Sequence, residues 1–189
     1  MLGALEAGRG AILLSGHSYG FSRLVPPVLA QRGYAVFRTG MGHKAGQRVE
    51  RWGKGSYRRW QYLNYNGDYW HHLVVLNQMR QALKKNGILH ISMRGTPRGD
   101  PELEIEFWHK RFFLDPLMLR VIGILKAPVL PCFALCDEGG RLLIKIFPPQ
   151  GFQSNEIMAT FGPLYARYLR EFPEFARIWG RVIRQKEEF

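Results

Sequence analysis

The sequence predicts an α/β fold: one domain with a mixed, mostly parallel sheet flanked by helices on both faces. Three observations predict it. Residues 8–39 read GRGAILLSGHSYGFSRLVPPVLAQRGYAVFRT, two short apolar runs (11–14 and 34–37) around a helix-compatible segment. That order is the strand–helix–strand unit of a parallel sheet. The runs are continuously apolar rather than alternating, as strands buried on both faces require. Two further runs, 88–92 and 129–136, each follow a segment of helical period. A chain of 189 residues suits one core.

In chain order, Leu24, Val25, Val28 and Leu29 keep helical spacing. Pro26 and Pro27 fit a first turn, so the regular helix starts there, and Gly33 ends it. Residues 38–69 have no clean period and read as a long loop with short helical turns. They hold six glycines and a basic-aromatic cluster, Arg51, Trp52, Lys54, Tyr57, Arg58, Arg59 and Trp60. A loop of that length is usually functional or mobile. Asp68 caps a helix over 69–85, in which Leu73, Leu76, Met79 and Leu83 share a face, with Lys84 and Lys85 at its end and Gly87 beyond. Residues 88–92 form a strand that opens into a turn rich in Gly and Arg, residues 93–100. Leu103, Ile105 and Phe107 alternate with Glu102, Glu104 and Glu106, a half-exposed strand. A helix over 114–126 leads to the strand 129–136. The turn Asp137-Glu138-Gly139-Gly140 then makes a hairpin with 142–147. Helices over 155–171 and 174–186, separated by Pro173, close the chain.

Composition narrows the partners. Hydrophobic content of 46% and charged content of 22% are globular values, so disorder is not expected. Lys and Arg number 27 against 15 Asp and Glu, a net charge of +12, which favours an anionic partner. No apolar run approaches the ~20 residues of a membrane-spanning helix. The start, MLGALEAGRG, lacks the basic-then-apolar order of a secretory signal. Cys132 and Cys136, four residues apart on a strand, lie ~13 Å from each other, too far to bridge. They read as reduced thiols of a cytoplasmic protein. No His has zinc-finger spacing with them, so no metal is expected.

Ligands of parallel sheets sit at the carboxyl ends of the strands, and His17 stands at one. Two chemistries compete for it. Gly16-His17-Ser18-Tyr19-Gly20 matches G-x-S-x-G between a strand and a helix, which would make Ser18 the nucleophile of an esterase. That fold needs an acid and then a His downstream. Asp137 is available, but no His follows His109.

The second chemistry centres on His17. Gly16-His17-Ser18-Tyr19-Gly20-Phe21-Ser22, then Arg32-Gly33-Tyr34-Ala35-Val36, resembles the lysophospholipid/glycerolipid acyltransferase superfamily. The nearer branch is that of the bacterial lipid A biosynthesis (lauroyl/myristoyl) acyltransferases. Leu83-Lys84-Lys85-Asn86-Gly87, Gly95-Thr96, Ala127-Pro128-Val129-Leu130-Pro131 and Pro173-Glu174 with Trp179 continue the resemblance in order, over most of the chain. It implies a glycerolipid-acyltransferase-like α/β domain over residues 1–189, without the membrane helix the lipid A branch usually carries upstream. It implies transfer of a fatty acyl group from an acyl thioester, of acyl carrier protein or coenzyme A, to a hydroxyl of a lysophospholipid or lipid A precursor. No other cofactor is implied. The location implied is peripheral, on the cytoplasmic face of the inner membrane.

Roles follow, that of His17 from the resemblance and the others from their places at strand ends and in the Gly-containing turn. His17 is the general base. Gly16, Ser18 and Gly20 form the oxyanion site or pocket, and Arg38, Arg94, Gly95, Thr96 and Arg98 hold phosphate. The family's pattern is His, four residues, then Asp or Glu. Position 22 is Ser, and loss of the carboxylate from a comparable dyad costs ~10⁴ in rate. Asp68, Asp100 and Glu104 are candidate substitutes; the other outcomes are a His17 that works unassisted and slowly, or a lipid-binding relative without catalysis. A carboxylate restored at position 22, at a helix start, is expected to be electrostatically welcome. Arg94 departs from the Glu of the phospholipid branch.

Arg51, Trp52, Lys54, Arg58, Arg59 and Trp60 read as a contact surface for anionic membrane, against the simpler reading of a solvated face. Nucleic acid ranks below both, because no recognition motif accompanies the cluster. His71 and His72 are adjacent on a helix and cannot share a face; His43, His90 and His109 stand isolated.

Overall fold

The computed structural model describes residues 2–16, 21–40, 60–64, 69–93, 95–96, 99–107 and 110–172. Among these the fold is α/β, with a mixed, mostly parallel sheet, as the sequence predicts. Nine strands are described: β1 (Ala11–Gly16), β2 (Val36–Gly40), β3 (Trp60–Asn64), β4 (Ile88–Met93), β5 (Gly95–Thr96), β6 (Glu104–Phe107), β7 (Lys110–Leu114), β8 (Val129–Cys136) and β9 (Leu142–Ile146). The helices are α1 (Leu2–Glu6), α2 (Val25–Gln31), α3 (Tyr69–Lys84), α4 (Pro116–Leu125) and α5 (Ser154–Glu171), with 3-10 turns at Phe21–Arg23 and Pro101–Leu103. No described helix is long and apolar enough to cross a membrane.

The main sheet has the order β3-β2-β4-β1-β8-β9. Its first five strands are mutually parallel, and β9 pairs antiparallel with β8. The most apolar strands, β1 and β4, lie in the middle, where both faces are covered. A small antiparallel sheet, β5-β7-β6, follows β4.

Alternation along the strands sorts side chains between two layers. Ile12 and Leu14 of β1, with Leu89, Ile91 and Met93 of β4, pack with α3, α4, α5 and the small sheet. Ala11, Leu13 and Ile88 face the other way, with Val25 and Leu29 of α2. Helices therefore cover both faces, α3, α4 and α5 on one and α2 with Leu5 of α1 on the other.

Local chemistry explains the helix ends. Pro26 and Pro27 fall in the first turn of α2, where a missing N–H costs nothing. Asp115 caps α4 by accepting from the Leu117 N–H at 2.9 Å. Gln153 and Glu156 form a reciprocal capping box on α5. After α3, Asn86 rather than Gly87 takes the left-handed position, φ 59°. Its side chain accepts from Gly10 N–H at 3.0 Å and donates to the Leu5 carbonyl at 2.8 Å. This latch ties α1 and the start of β1 to the turn that opens β4.

Four expectations are corrected. Within 38–69, residues 60–64 form a strand, because Val36 to Gly40 offers them a parallel edge. The turn expected over 93–100 includes β5, since Gly95 and Thr96 pair with Leu114 and Phe113. Lys110–Leu114 is the central strand of the small sheet, although 110–113 lay outside any predicted element and Leu114 was expected to start a helix. Leu2–Glu6, also unassigned from sequence, is a short helix. The helix expected over 174–186 and the cap at Asp68 lie outside the described residues.

Candidate functional site

Of the predicted site residues that are described, Gly16 ends β1 and Gly95 follows β4, at the carboxyl edge of the sheet. β1 and β4 run in register through Ser15↔Ser92 to Gly16↔Met93. The chain position before His17 is thus level with the position before Arg94. β2 lies on the other side of β4, with Arg38 across from His90. Gly95, which starts β5, follows at the same edge.

Gly16 itself is dictated by packing. Its backbone lies against the Tyr165 ring of α5, and any Cβ would collide with the ring. Tyr165 belongs to an aromatic group with Phe133, Phe161 and Phe112, at centroid distances of 6.1, 5.4 and 6.0 Å. The end of β1 is thereby braced from the three-helix side.

On the α2 side the same strand ends carry a buried polar cluster. Ser15 Oγ lies 2.9 Å from His90 Nε2 and 3.5 Å from Ser92 Oγ. His90 is fully buried and Ser15 nearly so. Burial, and then the Arg38 guanidinium, hold the His90 ring well below the usual imidazole range, so it is neutral near pH 7. No hydrogen-bond partner is described for Nδ1. The sequence showed His90 only as an isolated histidine inside an apolar run. The available signal was its two-residue spacing from Ser92, which puts both on one face; pairing with Ser15 required knowing that β4 lies beside β1.

The remaining predicted residues fall as follows. Ser22 sits in the 3-10 turn before α2 and is 2% exposed. A carboxylate introduced there would be taken out of water, a desolvation cost that opposes the favourable helix-end field expected from the sequence. Arg38 is a half-buried residue of β2 beside His90. Gly95 is buried, and Thr96 donates to the Phe113 carbonyl at 3.4 Å. Trp60 is the first residue of β3, across from Val36. His17, Ser18, Gly20, Arg94, Arg98, Arg51, Trp52, Lys54, Arg58 and Arg59 lie outside the described residues, as does Asp68.

The described candidate acids are engaged. Asp100 accepts from the Glu102 N–H at 3.0 Å, and Glu104 pairs with Arg111 at 3.7 Å. Asp137, the acid of the esterase reading, accepts from Arg141 N–H at 2.8 Å and Nε at 2.7 Å. These bonds hold its carboxyl below the usual range and close the β8–β9 hairpin.

Both cysteines are free thiols. Burial pushes the Cys132 thiol up to about 12, so it stays protonated and poorly nucleophilic. Among the described residues no three His, Cys, Asp or Glu side chains are grouped as a metal site. No protein-family model matches the chain, and no curated protein matches it.

Proposed function

We propose that the protein is an acyltransferase. It moves a fatty acyl group from a thioester of acyl carrier protein or coenzyme A to a hydroxyl of a phosphorylated lipid or glycolipid. The observation that carries the reading is the register of β1 with β4 out to Gly16↔Met93. It brings together the chain positions that precede His17, read as the base, and Arg94, read as a phosphate ligand. His17 takes the acceptor hydroxyl proton as the oxygen attacks the thioester carbonyl. The thiol leaves when the tetrahedral intermediate collapses. Arg38, Arg94 and Arg98 hold the acceptor phosphate. The basic-aromatic cluster from Arg51 to Trp60 meets the anionic membrane surface.

The test is transfer of a labelled acyl group from a thioester to lysophospholipid or lipid A precursors. His17→Ala is expected to abolish transfer and Ser18→Ala to retain most of it. An ester hydrolysis lost in Ser18→Ala, with labelling by a serine-directed phosphonate, would replace this reading with the esterase. A second reading is a lipid-binding relative that does not catalyse, motivated by Ser22 at the position where the resembled family keeps Asp or Glu. It predicts lipid binding by the parent with no transfer from any thioester.

A further inference from the structure

Among the described residues β9 is the end strand of the main sheet. Its ladder with β8 fixes which backbone groups lie on the outer edge. Phe147 N–H donates to the Pro131 carbonyl at 2.9 Å, and Asp137 N–H donates to the Arg141 carbonyl at 3.0 Å. Residues 141 and 147 therefore bond inward, and so do Leu143 and Lys145, across from Leu135 and Phe133. By alternation the N–H and C=O groups of Leu142, Ile144 and Ile146 point away from β8. No described residue bonds these six groups. Such a row of donors and acceptors is a template for one more strand.

The side chains indicate what that strand carries. Leu142, Ile144 and Ile146 are half-buried against the core on the α2 side, so apolar residues opposite them would complete their burial. On the other face Leu143, Lys145 and Phe147 form one wall of a groove of about 440 Å³, and α5 forms the opposite wall. Arg167 and Glu171 across that groove pair with each other at 2.6 Å, and Arg141 pairs with Asp137 at 2.7 Å. Lys145 is exposed, with its ammonium 5.4 Å from the Phe147 ring centroid, and no ion pair among the described residues engages it. A lysine on a strand edge discourages pairing with a second copy of that strand. The net charge of +12 adds to the repulsion between copies. The same charges attract an acidic strand.

We propose that β9 docks an extended acidic segment of a partner protein, which joins the sheet as an antiparallel strand. Its apolar residues cover Leu142, Ile144 and Ile146, and its alternate Asp or Glu residues meet Lys145 on the groove face. β8 separates this surface from β1, and docking requires neither His17 nor acyl transfer.

The experiment is fluorescence anisotropy of the full chain with a labelled, end-blocked nonapeptide of alternating Val and Glu. Saturable one-to-one binding is expected, weakening as salt is raised. A peptide with Lys in place of each Glu should bind at least ~tenfold more weakly. N-methylation of the Val residues removes the N–H groups that face β9 and should also cost at least ~tenfold. Ile144→Pro should do the same from the protein's side. The N–H it removes lies on the open edge, where proline is tolerated, and circular dichroism checks the fold. Lys145→Glu should weaken the peptide about tenfold. Ile124→Asp, at an exposed position on α4, should bind normally. The proposal is overturned if the folded parent binds no peptide saturably, or if the N-methylated peptide binds as tightly as the unmethylated one. It is also overturned if folded Ile144→Pro or Lys145→Glu binds like the parent. A dimer found by light scattering and dissociated by Ile144→Pro would equally overturn it, because a second copy would then occupy the edge.

Discussion

The two faces of the central sheet are built from alternate residues of the same strands, yet they do different things. The face under α3, α4 and α5 is apolar and aromatic throughout, and it braces Gly16 through Tyr165. The face under α2 is thinner, and toward the carboxyl edge its apolar contacts give way to Ser15, His90, Ser92 and Arg38. A polar cluster persists there because its members bond one another and its histidine remains neutral. One face is thus an apolar store of stability, and the other carries a buried polar cluster at the ends of β1 and β4.

Three perturbations test that division, from the largest effect to the smallest. Phe161 is fully buried on the three-helix face. Phe161→Ala should cost about 3–5 kcal/mol in urea denaturation, as large-to-small changes in close-packed cores do. A cost below ~1 kcal/mol would mean that this face is not the main store of stability. Next, Gly16→Ala should cost about 1–3 kcal/mol by overpacking. Tyr165→Leu should relieve part of it, so the double mutant must be more stable than additivity predicts. Strict additivity would show that Tyr165 does not brace the end of β1.

The smallest effect belongs to the α2 face and is read through pH. The native His90 titrates below its unfolded value, so between the two the unfolded chain holds a proton that the native state lacks. Stability is full above about pH 6.5 and falls as pH drops below it, by up to ~1.4 kcal/mol per pH unit. Comparing denaturation of the parent and His90→Gln from pH 8 to 5 isolates this component. Parallel curves would remove His90 as the source.

Much of the fold was legible in the sequence. The runs at 11–14, 88–92 and 129–136 are strands because no helix period competes with their continuous apolarity. The helices found at 69–84, 116–125 and 154–171 were legible because apolar residues recur at helical spacing. The losses share a cause. β3, β5 and β7 are short strands whose neighbours are distant in sequence or follow an irregular connection, and pairing rather than local pattern makes them strands. The same holds for the candidate site: Gly16 and Arg38 could be named from sequence, whereas the Ser15–His90 contact spans 75 positions.

What the sequence determined by itself is local. It set the alternation of strand and helix, the hairpin closed by Asp137 and Arg141, and the free state of two cysteines held apart by an extended strand. Tertiary structure decided which strands became neighbours. It also decided which alternate residues met α3, α4 and α5 and which met α2, that Asn86 latches α1 to β1, and that Ser22 is buried. Local preference acts over a few residues and is written in the order of side chains. Strand order and burial come from minimising exposed apolar surface over the whole chain at once, so no short stretch of sequence carries them.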